Sequence, residues 1–424
     1  MLVLPTMEQC LWAQQEIGVI IHLDMPTFVP EYIWDKETAP PVSVFCPDGL
    51  DTDQWLESAV AAGAKYAVLV AKHCSGFSLW PTKVHDYNVA STSWKNGKGD
   101  VVADFIASCK KYGVRPGLYY SASANGYLGI NPDTLREKDE AGRAEYFNVL
   151  MTQLREIWTN YGELFEIWFD GGVIPVEEGG PDIAALLHEL QPNALVFQGP
   201  SGTKSLIRWV GNEFGIAPEE CSNIVNSEKG AEDNNYAGDT NGDLWMPAET
   251  DTPNRHVLWS FQGGWFWRKG EEKLIVPPRQ LLEDYIHSVG RSTNLLLGMV
   301  IDTYGRFPEK DTAVFRDFGA LREKHFGQSV VSVTPKAGDT EIALNVPAGQ
   351  MVRYLVLAED IAEGERVTAY RVERVSRGKR STLCENSLIG NKRIIPLGRL
   401  RGGKIHVTIT ESKAETQLKS VELY

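Results

Sequence analysis

The run Phe165-Glu166-Ile167-Trp168-Phe169-Asp170-Gly171-Gly172 is a short, almost wholly apolar stretch of strand length that stops at an acid followed by two glycines. A strand covered on both faces reads as a continuous apolar run rather than an alternating one, so the pattern is that of a buried parallel strand opening into a loop. In barrel and doubly wound α/β folds, loops beyond the C-terminal strand ends form the mouth of the site, which makes Asp170 a candidate reacting group. The bland alternative is a turn or helix cap built from Asp170 with Gly171 and Gly172.

Working outward, the same unit recurs on both sides. Ile17 to His22 (I-G-V-I-I-H) and Tyr66 to His73 are apolar runs that end in histidine, and Val114 to Ser121 follows a helix closed by Gly113. Helices are expected over Trp55 to Ala62, Val101 to Tyr112, Glu140 to Tyr161, Ile183 to Leu190, Pro278 to Val289 and Glu309 to His325. Between them, Ala194 to Gln198, Ile207 to Glu213, Leu244 to Glu249 and Asn294 to Leu297 complete roughly eight strand candidates. This alternation is the signature of a parallel sheet, and the count suits a (β/α)8-like barrel over residues 1–330. After about Gly327, short β runs separated by Gly, Asn, Asp and Lys predict an all-β sandwich over 331–424. The boundary is expected near 327–335, and a polar loop, Ala231 to Gly242, interrupts the barrel pattern.

Composition narrows the function. Lys and Arg number 42 against 56 Asp and Glu, a net charge of −14, which argues against nucleic acid and anionic membrane as partners. The twelve Trp and fifteen Tyr supply flat faces on which sugar C–H surfaces pack, although large cores also consume aromatics. Six scattered cysteines form no C-x-x-C, so neither a zinc knuckle nor a redox pair is written here. There is no run of 18 apolar residues and no basic-then-apolar leader in the sequence given. An extracytoplasmic location, with the leader outside this sequence, is the expectation.

Strand ends thus offer His22, His73, Tyr119 or Tyr120, Asp170, Glu213 and Glu249, with Trp265-Phe266-Trp267 close behind. Histidines and acids could hold a metal, but no H-x-H or H-E-x-x-H spacing is present, and neither metal nor other cofactor is expected. Two carboxylates suffice for glycoside hydrolysis: one attacks the anomeric carbon while the other, held protonated, donates to the leaving oxygen.

The motifs A-K-H-C-S-G-F-S-L-W-P-T (71–82), S-T-S-W-K-N-G-K-G-D-V-V (91–102), G-L-Y-Y-S (117–121), E-I-W-F-D-G-G (166–172), R-W-V-G-N-E (208–213) and G-R-S-T-N-L-L-L (290–297) resemble those of the α-L-fucosidases of glycoside hydrolase family 29. The resemblance spans essentially the whole chain and implies a retaining exo-hydrolase of fucosylated glycans with Asp170 as nucleophile. In the branch it is most similar to, the acid/base is the Glu of a W-x-P-x-E segment, which points to Glu249, with Glu213 and Glu31 as rivals. Sugar-binding positions carry over to His22, Glu31, His73 and Tyr119 or Tyr120, with Trp265 and Phe266 facing the fucose or the next sugar. That branch also implies α-1,3 or α-1,4 linked fucose.

One departure stands out. Where many members read K-H-H-D-G-F, this chain has Lys72-His73-Cys74-Ser75-Gly76-Phe77, and a thiol is a poor hydrogen-bond substitute for imidazole. A fucose-like sugar such as an α-galactoside is therefore an alternative glycone. A carbohydrate-binding protein without catalysis and a metal-dependent hydrolase using His22, His73 and Asp170 are the readings from other classes.

Overall fold

The computed structural model describes residues 2–229, 236–256, 264–376 and 378–424. Eight parallel strands close a barrel: β1 (Ile17–His22), β2 (Tyr66–Lys72), β3 (Arg115–Tyr120), β4 (Glu166–Trp168), β5 (Leu195–Phe197), β6 (Leu206–Trp209), β9 (Ala248–Thr252) and β10 (Asn294–Val300), the last pairing back onto β1. β1 and β2 are buried along their whole length, as their uninterrupted apolar runs require. Alternate residues serve two cores. Ile20, Val68, Val70, Tyr119 and Leu296 fill the barrel interior, while Val19, Ile21, Ala67, Leu69 and Tyr120 pack under the outer helices. At Gly18 a Cβ would lie 2.3 Å from the Tyr66 ring, so glycine there is what lets that ring cross β1 inside the barrel.

Helices Thr52–Ala62 and Val101–Tyr112 start at the caps Asp51 and Asp100 and stop at the left-handed glycines Gly63 and Gly113. A further helix, Met7–Ala13, closes the N-terminal end of the barrel: Trp12 Nε1 donates to Glu166 Oε2 (3.0 Å), and Gln9 Nε2 donates to the carbonyls of Leu206 and Trp245. Among the described residues no helix follows β5 or β6. The flank after β6 is covered instead by a small hairpin, β7 (Ile224–Val225) and β8 (Leu244–Trp245), and by the second domain; residues 231–235 of the polar loop lie outside the described residues.

That domain is the expected sandwich. One sheet runs β11 (Val331–Val333), β18 (Leu418–Leu423), β13 (Met351–Glu359), β16 (Arg393–Arg401); the other runs β12 (Glu341–Asn345), β17 (Lys404–Ser412), β14 (Val367–Ser376), β15 (Lys379–Asn386). Ile342, Leu344, Leu355, Val372, Ile405 and Val407 fill the space between them, and Val356 and Ile394 reach across into the barrel's outer core. Polar contacts grip the segment after β6. Glu365 accepts from the Ser222 hydroxyl (2.8 Å) and from Asn223 N and Nδ2 (3.0 and 2.7 Å), Glu220 accepts from the backbone of Ser387 and Leu388, and Arg393 pairs with Glu219. Asn391 Nδ2 reaches the Ala13 carbonyl on the helix that closes the barrel. Among the described residues no helix is long and apolar enough to cross a membrane.

Candidate active site

Asp170 stands two residues beyond the last residue of β4, and the chain turns away through Gly171 (φ 67°) and Gly172 (φ 76°), left-handed conformations that glycine adopts without strain. Gln198 Oε1 accepts from Gly171 N (3.0 Å), fixing the turn. The carboxylate faces an open mouth, and its Oδ2 accepts from the Tyr119 hydroxyl at 2.7 Å. Crowding by protein raises its pKa above the ordinary aspartate value, and the Tyr119 hydrogen bond works in the opposite sense.

Around Asp170 the strand ends assemble a wall of rings. His73 stacks on Tyr119 (5.5 Å, 4° between planes) and meets Phe266 edge-on at 5.2 Å; His22 lies 5.1 Å from Trp265 and 5.9 Å from His73. Trp34, from the proline-rich loop after β1, closes on His73 at 5.0 Å. Burial holds the His22 imidazole down at about 3, and burial, with help from His22 and Lys72, holds His73 well below its ordinary value. Both rings are therefore neutral at working pH. Neutral imidazoles and aromatic faces suit an uncharged polyol, offering hydrogen bonds without an unmatched charge.

Glu213 lies four residues past the end of β6, exposed at the same mouth, with Oε2 accepting from Trp265 Nε1 (3.1 Å). Burial raises its pKa, the Trp265 bond opposes this, and the Asp170 charge raises it further. That last influence places the two carboxyls within electrostatic reach. Both carboxyls are raised by their surroundings, and glycoside cleavage needs a pair of which one is ionised and the other carries a proton.

Three expected site residues lie elsewhere. Pro247 separates two strands that the sequence pattern joined: Leu244–Trp245 belongs to the hairpin, and the barrel strand begins at Ala248. Glu249 is consequently the second residue of β9 rather than its end, 0% exposed inside the barrel. Its oxygens accept from the Tyr66 hydroxyl (2.5 Å) and Trp168 Nε1 (2.9 Å), and its neighbour is the equally buried Glu166. Burial pushes Glu249 up to about 7. With both oxygens taken by core donors and no solvent contact, it has no path to a leaving oxygen, which corrects the acid/base expectation. Tyr120 faces the opposite way from Tyr119, as strand alternation dictates, and donates to Gln153 Oε1 (2.6 Å) beneath the long helix Glu140–Asn160. Glu31 is exposed on the loop after β1, where Arg268 is a charge it faces.

Several residues at the site carried no signal in the strand-end pattern. Asp251, one inward position above Glu249, holds Trp209 Nε1 at 2.7 Å and is pushed well up by burial and then by the Glu213 charge; the sequence A-E-T-D-T shows both acids at period two. Gln198 and Trp34 sit in loops, where spacing says little. Ser75 donates to Asp24 (2.6 Å) and accepts from Phe77 N (3.0 Å), so it pins its own loop, whereas Cys74 borders the pocket beside His73 and Asp170.

A barrel whose mouth gathers two carboxyls, neutral histidines and indole rings defines a carbohydrate-cleaving enzyme of the two-carboxylate class. Comparison with known proteins gives the family. The family model described as Alpha-L-fucosidase matches residues 11–325. Alpha-L-fucosidase 1 of Arabidopsis thaliana is 28% identical over 99% of this chain and 87% of its own length. The solved structure of a Bacteroides thetaiotaomicron protein designated a candidate α-L-fucosidase superposes with a TM-score of 0.93 at 31% identity, covering 100% of this chain and 99% of that one. A glycoside hydrolase 29 family member from an unknown rumen bacterium gives 0.86 at 28% identity, covering 100% and 77%. The chain belongs to the α-L-fucosidase family, glycoside hydrolase family 29, and is a glycoside hydrolase.

Proposed function

We propose that this protein removes terminal α-L-fucosyl residues from glycans by double displacement, with Asp170 as nucleophile and Glu213 as acid/base. In the first step an Asp170 oxygen bonds to the anomeric carbon while the bond to the aglycone oxygen breaks, and Glu213 gives that oxygen its proton. In the second step Glu213 takes a proton from water as the water oxygen displaces Asp170, returning both carboxyls to their starting states with net retention. Tyr119 holds Asp170 in place, and His22, His73, Trp34, Trp265 and Phe266 form the walls around the sugar. The observation that carries the reading is the pairing of Asp170 and Glu213 at one open mouth, close enough for the Asp170 charge to raise Glu213.

The experiment is twofold. Proton NMR of the first-formed sugar from an aryl α-L-fucoside should show the α anomer, and a 2-deoxy-2-fluoro fucosyl donor should leave its mass on the peptide containing Asp170. Initial release of the β anomer, or a label on another carboxylate, overturns the assignment. A parallel panel of aryl α-L-fucoside and α-galactoside, with α-1,2, α-1,3 and α-1,4 fucosylated oligosaccharides, reads the glycone and linkage; preference for the α-1,3 and α-1,4 branched set is the proposal.

A further inference from the structure

Cys74 stands at the pocket mouth, flanked by the neutral ring His73 and by the proposed nucleophile Asp170. One ligand atom from each of His73, Cys74 and Asp170 lies within 4.8 Å of the other two. The three grade from a buried imidazole through a half-buried thiol to an exposed carboxylate, so an ion enters from the mouth. Among the described residues His73 Nδ1 is buried without a hydrogen-bond partner, and the Cys74 sulfur shares a hydrogen bond with Ser121 Oγ at 3.5 Å. One imidazole, one thiolate and one carboxylate with a fourth direction open to the pocket is the donor set of a three-ligand zinc site; it does not suit Mg2+ or Ca2+, which take oxygen ligands.

We infer that His73, Cys74 and Asp170 form an inhibitory site for soft divalent cations such as Zn2+ and Cd2+. The ion occupies the sugar's place. Cys74 releases its proton to solvent as the sulfur–metal bond forms, and the Asp170 oxygen that would attack the anomeric carbon becomes a ligand instead. Metal and fucoside therefore exclude one another, and the ion is a competitor rather than a cofactor. The metal site rests on the geometry; the competition rests on the role given to Asp170.

Cobalt(II) is the probe for binding, because a cobalt–thiolate bond absorbs in the near ultraviolet. Wild-type protein titrated with Co2+ should develop this absorption, and Cys74→Ser, which keeps the exposed Cys46 and the other thiols, should lose it. In steady-state assays Zn2+ should raise the KM for an aryl α-L-fucoside at constant kcat, EDTA should reverse the effect, and Mg2+ should have none. Relative to its own uninhibited rate, Cys74→Ala should need at least about tenfold more Zn2+ for half inhibition, the loss that even an outer hydrogen-bond partner of a metal ligand brings. Absence of the absorption, its persistence in Cys74→Ser, or Zn2+ inhibition that lowers kcat without touching KM would each overturn the proposal. The absorption needs no turnover: cobalt bound through Cys74 on a protein that hydrolysed no fucoside would count against the fucosidase reading and leave the metal site standing.

Discussion

Glu213→Gln and Glu249→Gln should fail in different ways, and the difference follows from where the two side chains sit. Glu213 is exposed at the mouth beside Trp265. Its loss removes general acid assistance, worth about 10²–10⁴ in rate, or about 3–5 kcal/mol of barrier, on a fucosylated oligosaccharide whose leaving alkoxide needs a proton. A 2-chloro-4-nitrophenyl fucoside leaves without one, so formation of the fucosyl-enzyme should fall by less than about tenfold. Turnover would then stall at deglycosylation, lowering kcat and KM together, and added azide should restore kcat by releasing a fucosyl azide. The pH profile supplies an independent sign. In the wild type, kcat/KM should fall on the acid side as Asp170 takes a proton and on the alkaline side as Glu213 loses one, with both limbs above the ordinary carboxylate values because burial raises both groups. In Glu213→Gln the alkaline limb should vanish on the activated substrate and the acid limb remain. Glu249→Gln instead sets an amide N–H against either the Tyr66 hydroxyl or Trp168 Nε1 inside the barrel. Orphaning a buried donor costs about 1–3 kcal/mol of stability, less whatever Glu166 gains from losing a carboxyl neighbour. Its rate loss should be equal on both substrates, with no azide effect. Leaving-group-dependent loss and azide rescue in Glu249→Gln, with neither in Glu213→Gln, would refute the reasoning from burial.

Asp170→Asn should lose several orders of magnitude in kcat on every substrate with an unchanged melting curve; Tyr119→Phe, which removes a hydrogen bond that lowers Asp170, should move the acid limb of kcat/KM upward. Phe214, 68% exposed, follows Glu213 on a loop pinned by Asn212, whose side chain accepts from Phe214 N and donates to Ile216 O; Phe214→Ala should lower kcat/KM for oligosaccharides by about two- to tenfold, a sugar–ring contact taken as equal to an aromatic pair at about 0.5–1.5 kcal/mol, and leave small aryl fucosides unaffected. Asp311→Ala strands the fully buried Arg255, which it binds through Nε (3.1 Å) and Nη2 (2.9 Å), and should cost about 3–5 kcal/mol in urea unfolding. Glu16, half-buried yet held below the ordinary glutamate value by Lys392 and Tyr285, contributes stability above the unfolded carboxylate pKa and loses it as pH falls through its own lower value; Lys392→Met should therefore lower the melting temperature at pH 7 and converge with wild type in acid.

The barrel was legible because parallel strands buried on both faces write long apolar runs, and Gly113 marks a helix end by its own conformational preference; the Asp51 cap shows the first of these helices starting at Thr52, three residues before the expected Trp55. Where apolar continuity misled was at Leu244–Glu249: Pro247 breaks the run, and only three-dimensional pairing shows that the two halves belong to different sheets. Glu213 presented the converse problem. Its apolar run extends past the last barrel pairing, so it reads as a strand end, and its reach to the mouth depends on a loop whose course no periodicity encodes. Tyr119 and Tyr120 are separable only once the inward face is known. In the sandwich, the edge strand Lys379–Asn386 is mostly exposed and so writes no apolar face into the sequence.

The absence of a helix after β6 among the described residues has a mechanical corollary. After β2, β3 and β4 a helix returns the chain along the sheet; the chain leaving Glu213 is instead moored at Glu219, Glu220, Ser222 and Asn223 to side chains and backbone of residues 365–393. The sandwich thus acts as a splint for the loop that carries Glu213, the proposed proton donor. Deleting it would bare the barrel surface that Val356 and Ile394 cover and unmoor four attachment points within residues 219–223, so an isolated barrel should retain Asp170 on its strand end while letting Glu213 drift, an enzyme that still tolerates activated leaving groups better than natural ones.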